Sequence, residues 1–451
     1  MSARRDAYWT VAATLVGAFV QLLQLAVASR FLSPAEFGLL AIVNVTLWIV
    51  MAFQDMGLSS YCVHLGEVSR RIQSTLFWMS SLLGAIAATF VASTASYIAD
   101  FYQMPLLNQL LPLVAVNFLI LGLGAQYQAN LIRTFGASRL AKIEVGSRLI
   151  SFILTMGLLV QLGLGTKAIV LGTIAFSAFK FLAMAMVAES HWHPRLMCDR
   201  TVAKNALVYG GYQAGSQIIN QLRTQLDQLI VGKALGAEAL GIYSLAKELI
   251  SYPLRILQPL VSRLVLPHLA KVQNDISQLK GIFINGLKRT AILSGVVYAL
   301  LAFFSPWAVE ILYGASYYAV AGVVPLLAIF GVLRPLGLNA GMLAQALGRT
   351  DREFRWNMIC ALVSLPLLLL VAVYFPRIEA FALALSFQQV LLTLLAYQFF
   401  VKPLAAVGIK HYVGAWLVVL LITLIFVVLA FVVDLPSLAS IWAQIGAFFG
   451  S

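Results

Sequence analysis

Charged residues are scarce in this chain, and that scarcity excludes an ordinary soluble domain. Only 10% of the 451 residues are charged, while 61% are hydrophobic, whereas soluble domains carry roughly 25% charged residues. The three cysteines do not have the spacing of metal ligands. The sequence also lacks a Walker loop, a nucleophile elbow and a zinc motif. It therefore predicts neither a cofactor nor direct use of ATP, and it does not predict an enzyme.

Long apolar runs fill most of the length. About 20 helical residues cross the hydrocarbon core of a bilayer, and runs of that length predict thirteen membrane-spanning helices. The predicted spans are 8–31, 37–61, 75–98, 106–132, 143–163, 167–188, 205–232, 238–262, 287–311, 321–347, 356–375, 378–401 and 412–433. The apolar tail after them predicts most of a fourteenth helix or an interfacial one. The fold class is therefore an all-α polytopic membrane protein.

The basic residues are distributed unevenly between the predicted loops. Most of the 30 Lys and Arg residues fall on the side of the N-terminus, and the opposite loops carry only Arg30, Lys167, Lys233 and Arg377. Because cytoplasmic loops carry the positive excess, the N-terminus is predicted to be cytoplasmic. The net charge of +13 then reflects membrane topology, and no nucleic-acid partner is expected. The cysteines lie near the cytoplasmic side, so no disulfide is expected.

The two halves of the chain repeat each other. LPLVAVNFLILGLG (111–124) matches VPLLAIFGVLRPLG (324–337), with Pro112 aligned to Pro325 and Gly124 to Gly337. Six spans then belong to each copy, and an even number means that both copies enter the membrane from the same face. The sequence therefore predicts two pseudo-symmetric six-helix lobes, related by an axis along the membrane normal.

The repeat predicts four parts of the chain. These are an N-lobe (1–190, helices 1–6), a solvated cytoplasmic linker (191–204), a C-lobe (205–402, helices 7–12) and a C-terminal part (403–451) with helix 13 and a partial helix 14. Because one chain contains both copies, a monomer is sufficient for the fold.

A motif after the seventh span resembles a known family. The runs DQLIVGKALGAEALGIYSLAKEL (227–249) and PLRILQPLVSRLVLPHLAKVQND (253–275) are similar to polysaccharide-exporter flippases of the MOP superfamily. The branch is the Wzx-like polysaccharide-transport type, which includes colanic-acid and O-antigen flippases. The residues that carry the resemblance are an Asp, an LG-x-x-x-LG-x-Y-S loop and a Pro-rich helix that ends in Gln-Asn-Asp. In this chain they are Asp227, Leu235, Gly236, Leu240, Gly241, Tyr243, Ser244, Pro253, Pro267, Gln273, Asn274 and Asp275.

The resemblance implies a fold and a function. The fold would be a MATE-like V of two lobes in the bacterial inner membrane. The function would be transfer of an undecaprenyl-pyrophosphate-linked oligosaccharide from the inner to the outer leaflet, for exopolysaccharide, capsule or O-antigen synthesis. The implied partners are this polyprenyl-pyrophosphate lipid, the membrane, and the polymerising and exporting machinery.

Polar side chains inside the predicted spans are the candidate binding residues, because ionisable groups in hydrocarbon are costly and usually face a cavity or a partner. The cations could hold pyrophosphate and the amides could hold sugar. The candidates are Arg334, Arg223, Lys247, Arg255, Lys180, Gln217, Asn220 and Gln24. Asp227 is the candidate for binding a coupling ion, H⁺ or Na⁺.

Simpler explanations stay open for these residues. Arg223 and Asp227 are spaced i, i+4 and could neutralise each other. Lys247 could pair with Glu248 or with a more distant residue, and the polar stripes could hold helices together. Two other functions also stay open on the same fold, a MATE-like multidrug antiporter and a lipid II flippase. A membrane polymerase or ligase is disfavoured, because every predicted external loop is short.

Overall fold

The computed structural model describes residues 2–64, 68–135, 137–188, 194–272, 275–433 and 435. These residues divide into two compact units, Met1–Gln225 and Leu226–Ser451. The division falls within the helix predicted at 205–232, whereas the sequence repeat places the lobe boundary at 191–204. The lobe boundaries therefore stay a prediction. The first residues of that linker and nearly all of the tail after Val433 lie outside the described residues.

The first unit contains seven helices and the beginning of an eighth. They are α1 (Ser2–Ala28), α2 (Pro34–Asp55), α3 (Leu58–His64), α4 (Arg70–Tyr102), α5 (Leu107–Phe135), α6 (Ala137–Val160), α7 (Thr166–Val187) and α8 (Arg200–Lys271). A capping box begins α2, because Ser33 and Glu36 exchange side-chain and backbone hydrogen bonds.

The second unit contains the rest of α8 and the helices that follow it. They are α9 (Ile276–Phe303), α10 (Ser305–Leu312), a 3₁₀ turn (Ala315–Tyr317), α11 (Tyr318–Ala346), α12 (Thr350–Tyr374), α13 (Ile378–Ala396), a π-helical turn (Tyr397–Val401), α14 (Lys402–Ala405), α15 (Ile409–Gly414) and α16 (Leu417–Val432).

The long helix α8 folds back on itself at one residue. Gly236 is the single non-helical position inside it, with φ 82° and ψ −174°, a conformation that glycine adopts without a steric penalty. The apolar stretch Gln217–Ile256 has 40 residues, or about 60 Å of helix, which is twice the hydrocarbon thickness of about 30 Å. It therefore supplies two crossings.

The predicted spans are found in the structure. Within the described residues, twelve helices are long and apolar enough to cross a membrane, and the fold-back of α8 makes thirteen crossings. Some boundaries differ. The predicted span 37–61 ends at the left-handed residues Met56 and Gly57, and 287–311 is broken at Phe304, where α9 ends and α10 begins.

Two buried amides support the internal repeat. Gln126 and Asn339 follow Gly124 and Gly337 by two residues each, so they occupy the same position in the two copies. Both are 0% exposed. Gln126 Nε2 donates to Ser80 Oγ, whereas Asn339 Nδ2 donates to a carbonyl of its own helix. The repeat therefore preserves a buried amide as well as the matched turn residues.

Glycines allow α4 and α5 to approach closely in the first unit. A Cβ on Gly84 would lie 2.6 Å from the Phe118 carbonyl oxygen, and one on Gly122 would lie 2.7 Å from the Ser80 carbonyl oxygen. Small residues of this kind let membrane helices pack backbone to backbone. Gln54 Nε2 also donates to the Phe118 oxygen, at 2.9 Å.

A serine from α13 enters the hydrogen-bond ladder of α11. Leu326 and Phe330 are i, i−4 partners in a regular helix. Ser386 Oγ donates to the Leu326 carbonyl at 2.5 Å and accepts from the Phe330 amide at 3.3 Å. Pro325 and Pro335 lie on either side of this point, and inserted side chains and prolines are the usual causes of helix bending. The Ser386 hydroxyl therefore bridges one turn of α11, and that turn lies directly before Arg334.

The described part of the predicted linker is attached to α4. The Arg195 amide donates to Ser74 Oγ at 3.0 Å, and the Asp199 amide donates to Thr75 Oγ1 at 2.9 Å. Trp78 Nε1 donates back to the Arg195 carbonyl at 2.8 Å. The backbone at Arg195 and Asp199 is therefore anchored to the first turns of α4, while residues 195–198 are exposed.

Candidate functional site

Asp227 lies at the centre of a buried polar cluster in the second unit. Lys247 Nζ lies 2.7 Å from both carboxylate oxygens, and the Tyr243 hydroxyl donates to Oδ2 at 2.7 Å. The Asp227 and Lys247 side chains are 3% and 14% exposed, and Tyr243 is fully buried. Both carboxylate oxygens are therefore bound by donors, and the charge of Asp227 is neutralised inside the protein. We call these three residues the clasp.

The fold-back at Gly236 explains why these residues meet. Asp227 precedes the kink by nine residues, and Tyr243 and Lys247 follow it on the returning half of α8. Tyr243 and Lys247 are spaced i, i+4 and therefore share one face of that half-helix. A distance of nine residues is about 14 Å of helix, close to half the hydrocarbon thickness. Breaking a buried pair of this kind by removing one partner costs about 3–5 kcal/mol.

Lys180 forms a second ion pair, in the first unit. Its Nζ lies 2.6 Å from Glu144 Oε1, and the lysine side chain is 14% exposed. One turn along the same helix contact, the Arg148 guanidinium lies over the Phe176 ring at 4.9 Å. The antiparallel packing of α6 against α7 places these pairs at adjacent levels. Lys180, predicted as a cavity cation, is therefore held by a carboxylate.

Arg255 forms an ion pair with a residue outside the clasp. Its Nη2 lies 3.0 Å from Glu248 and its guanidinium lies 5.3 Å from the centre of the Tyr252 ring. The side chain is 42% exposed. The sequence places Lys247 and Arg255 on one helix face, but their partners differ, so the two cations do not form a joint site in this structure.

The polar stripe before Asp227 contains a second local pair. Arg223 Nη2 donates to Asn220 Oδ1 at 2.8 Å, and both residues are half-buried. Gln217, one turn earlier, is exposed. Gln24 on α1 is half-buried. The structure therefore brings Arg223 and Asn220 together, and Lys247, not Arg223, supplies the charge that neutralises Asp227.

Arg334 lies in α11, between the turn that Ser386 bridges and Pro335. It is half-buried, and its guanidinium lies 5.9 Å from the centre of the Phe330 ring, one turn earlier. Arg334 is therefore a planar cation that directly precedes a proline within the helix. Its predicted role in binding stays a prediction.

Three contact partners of the candidate residues are not evident from the sequence. Tyr243 belongs to the motif but was given no role, and Glu144 and Glu248 were not proposed as the carboxylates that neutralise Lys180 and Arg255. A usable signal existed only for Tyr243. A fold-back at a glycine in LGAEALG places residues 243–247 opposite Asp227, and two donors four residues apart can bind one carboxylate.

The arrangement has a clear chemical consequence. Three predicted cavity cations, Lys180, Lys247 and Arg255, are bound by carboxylates, so an anion must compete with these carboxylates to use them. Within the described residues, no group of three or more His, Cys, Asp or Glu is placed to hold a metal ion. The chemistry available here is reversible pairing of charges, together with hydrogen bonds from amides and hydroxyls.

Comparisons with known proteins give the family. A family model described as polysaccharide biosynthesis protein matches residues 27–322. The amylovoran biosynthesis protein AmsL of Erwinia amylovora is 40% identical over 360 residues, which cover 80% of this chain and 92% of that protein. The lipopolysaccharide biosynthesis protein WzxC of Escherichia coli is 26% identical over 414 residues, covering 91% and 83% of the two chains.

Solved structures give the fold. An inward-facing multidrug resistance MATE transporter of the MOP superfamily aligns with a TM-score of 0.70 at 12% identity, covering 90% of this chain and 99% of that one. The lipid II flippase MurJ in an inward closed conformation aligns with the same TM-score at 15% identity, covering 95% and 97%. The chain is thus an all-helical, multi-pass membrane transport protein of this fold, and it belongs to the polysaccharide biosynthesis protein family.

Proposed function

We propose that this protein is a bacterial inner-membrane flippase that moves an undecaprenyl-pyrophosphate-linked oligosaccharide repeat unit from the inner to the outer leaflet. One observation carries the proposal. A chain that is 40% identical to an amylovoran biosynthesis protein has the fold of transporters and of a lipid flippase. Moving a lipid-linked precursor across the bilayer is a step of polysaccharide biosynthesis that a protein with this fold could carry out.

The cargo sets the physical requirements. The polyprenyl chain can stay in the bilayer, but the pyrophosphate and the sugars cannot cross hydrocarbon unaided. Arg223 and Arg334 are half-buried arginines within membrane spans. A guanidinium can donate two parallel hydrogen bonds to a phosphate. Gln217, Asn220 and Gln24 supply amides that could bind sugar hydroxyls. The two lobes would alternate between an inward-open and an outward-open state around this cargo.

A MATE-like multidrug antiporter is the second candidate, and the structural similarity to MATE transporters favours it. The half-buried Arg223 and Arg334 within the spans argue against it, because positive charges repel cationic drugs. A lipid II flippase is the third candidate, and the similarity to MurJ supports it at the level of fold alone.

The first experiment is lipid extraction from cells that lack this protein, with mass analysis of the polyprenyl-pyrophosphate species. We expect one oligosaccharide-lipid to accumulate on the cytoplasmic leaflet, and a plasmid copy of the gene to reverse this. Accumulation of lipid II would favour the third candidate. Unchanged lipids with increased drug sensitivity would reject the flippase in favour of the antiporter.

Arg334→Ala tests the role of the arginine in α11. Loss of a charge-assisted hydrogen bond costs about 1.5–3 kcal/mol, so we expect export to fall roughly ten- to a hundredfold at normal membrane levels. Arg377→Ala is the matched control, because Arg377 is an exposed arginine of the same unit and its loss should leave export unchanged. Normal export by Arg334→Ala would remove this residue from the site.

The cytoplasmic N-terminus is part of the proposal and has its own test. The exposed Cys198 is first replaced by serine. A cysteine at Lys167 should then react with an impermeant maleimide added to whole cells, and one at Lys280 should react only after lysis. The reverse pattern would invert the topology.

A further inference from the structure

We propose that Lys247 is an exchangeable cation. It separates from Asp227 and binds the pyrophosphate of the cargo instead. This inference rests on the proposed function and adds a residue-level step to it. The clasp of Asp227, Tyr243 and Lys247 would then change state when cargo binds, and its closed state is the one seen in the structure.

The difference in exposure within the clasp sets the order of events. Lys247 is 14% exposed, whereas the Asp227 side chain is 3% exposed and both of its oxygens are bound. The lysine side chain is therefore the more accessible member of the pair, and a cation cannot reach the carboxylate until Lys247 has moved. The site is thus arranged to respond first to an anion.

The chemistry of a lysine suits such an exchange. Its ammonium is a compact charge on a flexible four-carbon stem, so it can turn between two acceptors without moving its helix. Tyr243 keeps its hydrogen bond to Oδ2 when the ammonium leaves, so the carboxylate retains one donor. A pyrophosphate offers more charge and more acceptor oxygens than a carboxylate and can therefore compete for the ammonium.

The exchange would also place Asp227 in the mechanism. A buried carboxylate that loses its positive partner is strongly destabilised, so its neutralisation by a small cation would stabilise the loaded state. In this scheme the coupling ion follows the cargo to Asp227. Cargo binding would also change the contact between the two halves of α8, because the members of the clasp come from both sides of Gly236.

The test measures binding to the purified full-length protein in nanodiscs. The probe is farnesyl pyrophosphate, a short polyprenyl pyrophosphate, and farnesol is the uncharged control. We expect Asp227→Asn to bind the probe about tenfold more tightly than the wild type, because the carboxylate of Asp227 no longer competes for Lys247. We expect Lys247→Met to bind about tenfold more weakly, and farnesol binding to be unchanged in both variants.

The double variant Asp227→Asn/Lys247→Met covers the case in which a single variant does not fold, since it removes both charges together. It should bind the probe as weakly as Lys247→Met. Equal probe binding by the wild type and the double variant would show that the clasp is a structural pair only. By contrast, failure of the wild type to bind the probe, with unchanged cellular lipids, would reject the proposed function itself.

Discussion

The contact between Gly210 and the turn at Met56 gives a sharp prediction about stability in the first unit. A Cβ on Gly210 would overlap the carbonyl oxygen of Met56. Met56 and Gly57 both have positive φ, 38° and 66°, so the carbonyl belongs to a tight turn between α2 and α3. It is backbone and cannot rotate away as the end of a side chain could. Gly210→Ala must therefore shift α8 or the turn.

The neighbouring residue is a matched control. Gly211 is exposed, and no heavy atom outside its own helical surroundings lies within 4 Å of its would-be Cβ. Replacing glycine by alanine in a helix stabilises by about 0.5–1 kcal/mol, and this gain is common to both variants. Overpacking costs about 1–3 kcal/mol and applies to Gly210→Ala alone. The two variants should therefore differ by about 1–3 kcal/mol.

The assay is the free energy of unfolding from titration with SDS in mixed micelles. We expect Gly211→Ala to equal or exceed the wild type and Gly210→Ala to unfold at a lower SDS fraction. If both variants unfold together, the close approach of α8 to this turn is wrong, since the difference between them contains no other large contribution.

Two further predictions use buried groups. Burial raises the pKa of the Cys62 thiol, against a smaller opposing effect of Arg133, so less thiolate forms at pH 8 than at an exposed cysteine. We expect maleimide to label Cys198 at once and Cys62 only after unfolding; equal rates in the folded protein, read by mass spectrometry, would contradict the burial of Cys62. The second group is the Ala321 carbonyl of α11, which has no helical donor because Pro325, four residues later, lacks an N–H. Ser305 Oγ donates to this carbonyl at 3.1 Å. Ser305→Ala should lower the free energy of unfolding in SDS by about 1 kcal/mol. Ser93→Ala, which replaces an exposed serine, should change the same free energy by less than about 0.5 kcal/mol. Equal values for the two variants would show that the Ser305 hydrogen bond does not stabilise the protein.

The sequence was sufficient for the fold because hydrocarbon imposes simple rules. Spans must be long, apolar and helical, and the thirteen predicted crossings are found. The positions at which the helices end or kink were harder to predict. The sequence predicts a short loop between the spans 205–232 and 238–262, but the structure leaves only Gly236 outside helical geometry. The left-handed turn at Met56 was also not predicted, because a methionine gives no sign of that conformation.

The charge pairs could not be predicted, and the reason is geometrical. A sequence shows neighbours three or four residues apart, so Arg223 is the evident partner for Asp227. The actual partner, Lys247, becomes a neighbour only once α8 folds back at Gly236. Lys180 and Glu144 are separated by an entire helical hairpin and meet because α6 packs against α7. Candidate cations are thus visible in a membrane sequence, but their state of pairing depends on packing.

The pairing of these cations with carboxylates would affect how tightly a flippase of this kind binds its cargo. The carrier of an anionic lipid needs cations at membrane depth, yet the same cations would destabilise the empty protein. In the proposed flippase, carboxylates would meet both demands, since Lys180 and Lys247 are each paired with one. An internal counter-ion lowers the affinity for cargo, because the cargo must replace it, but it also lets the cargo leave when the pair re-forms. Moderate affinity on both sides of the membrane is what a transporter needs, so the pairs with Glu144 and Asp227 are consistent with a carrier whose task is release as well as capture.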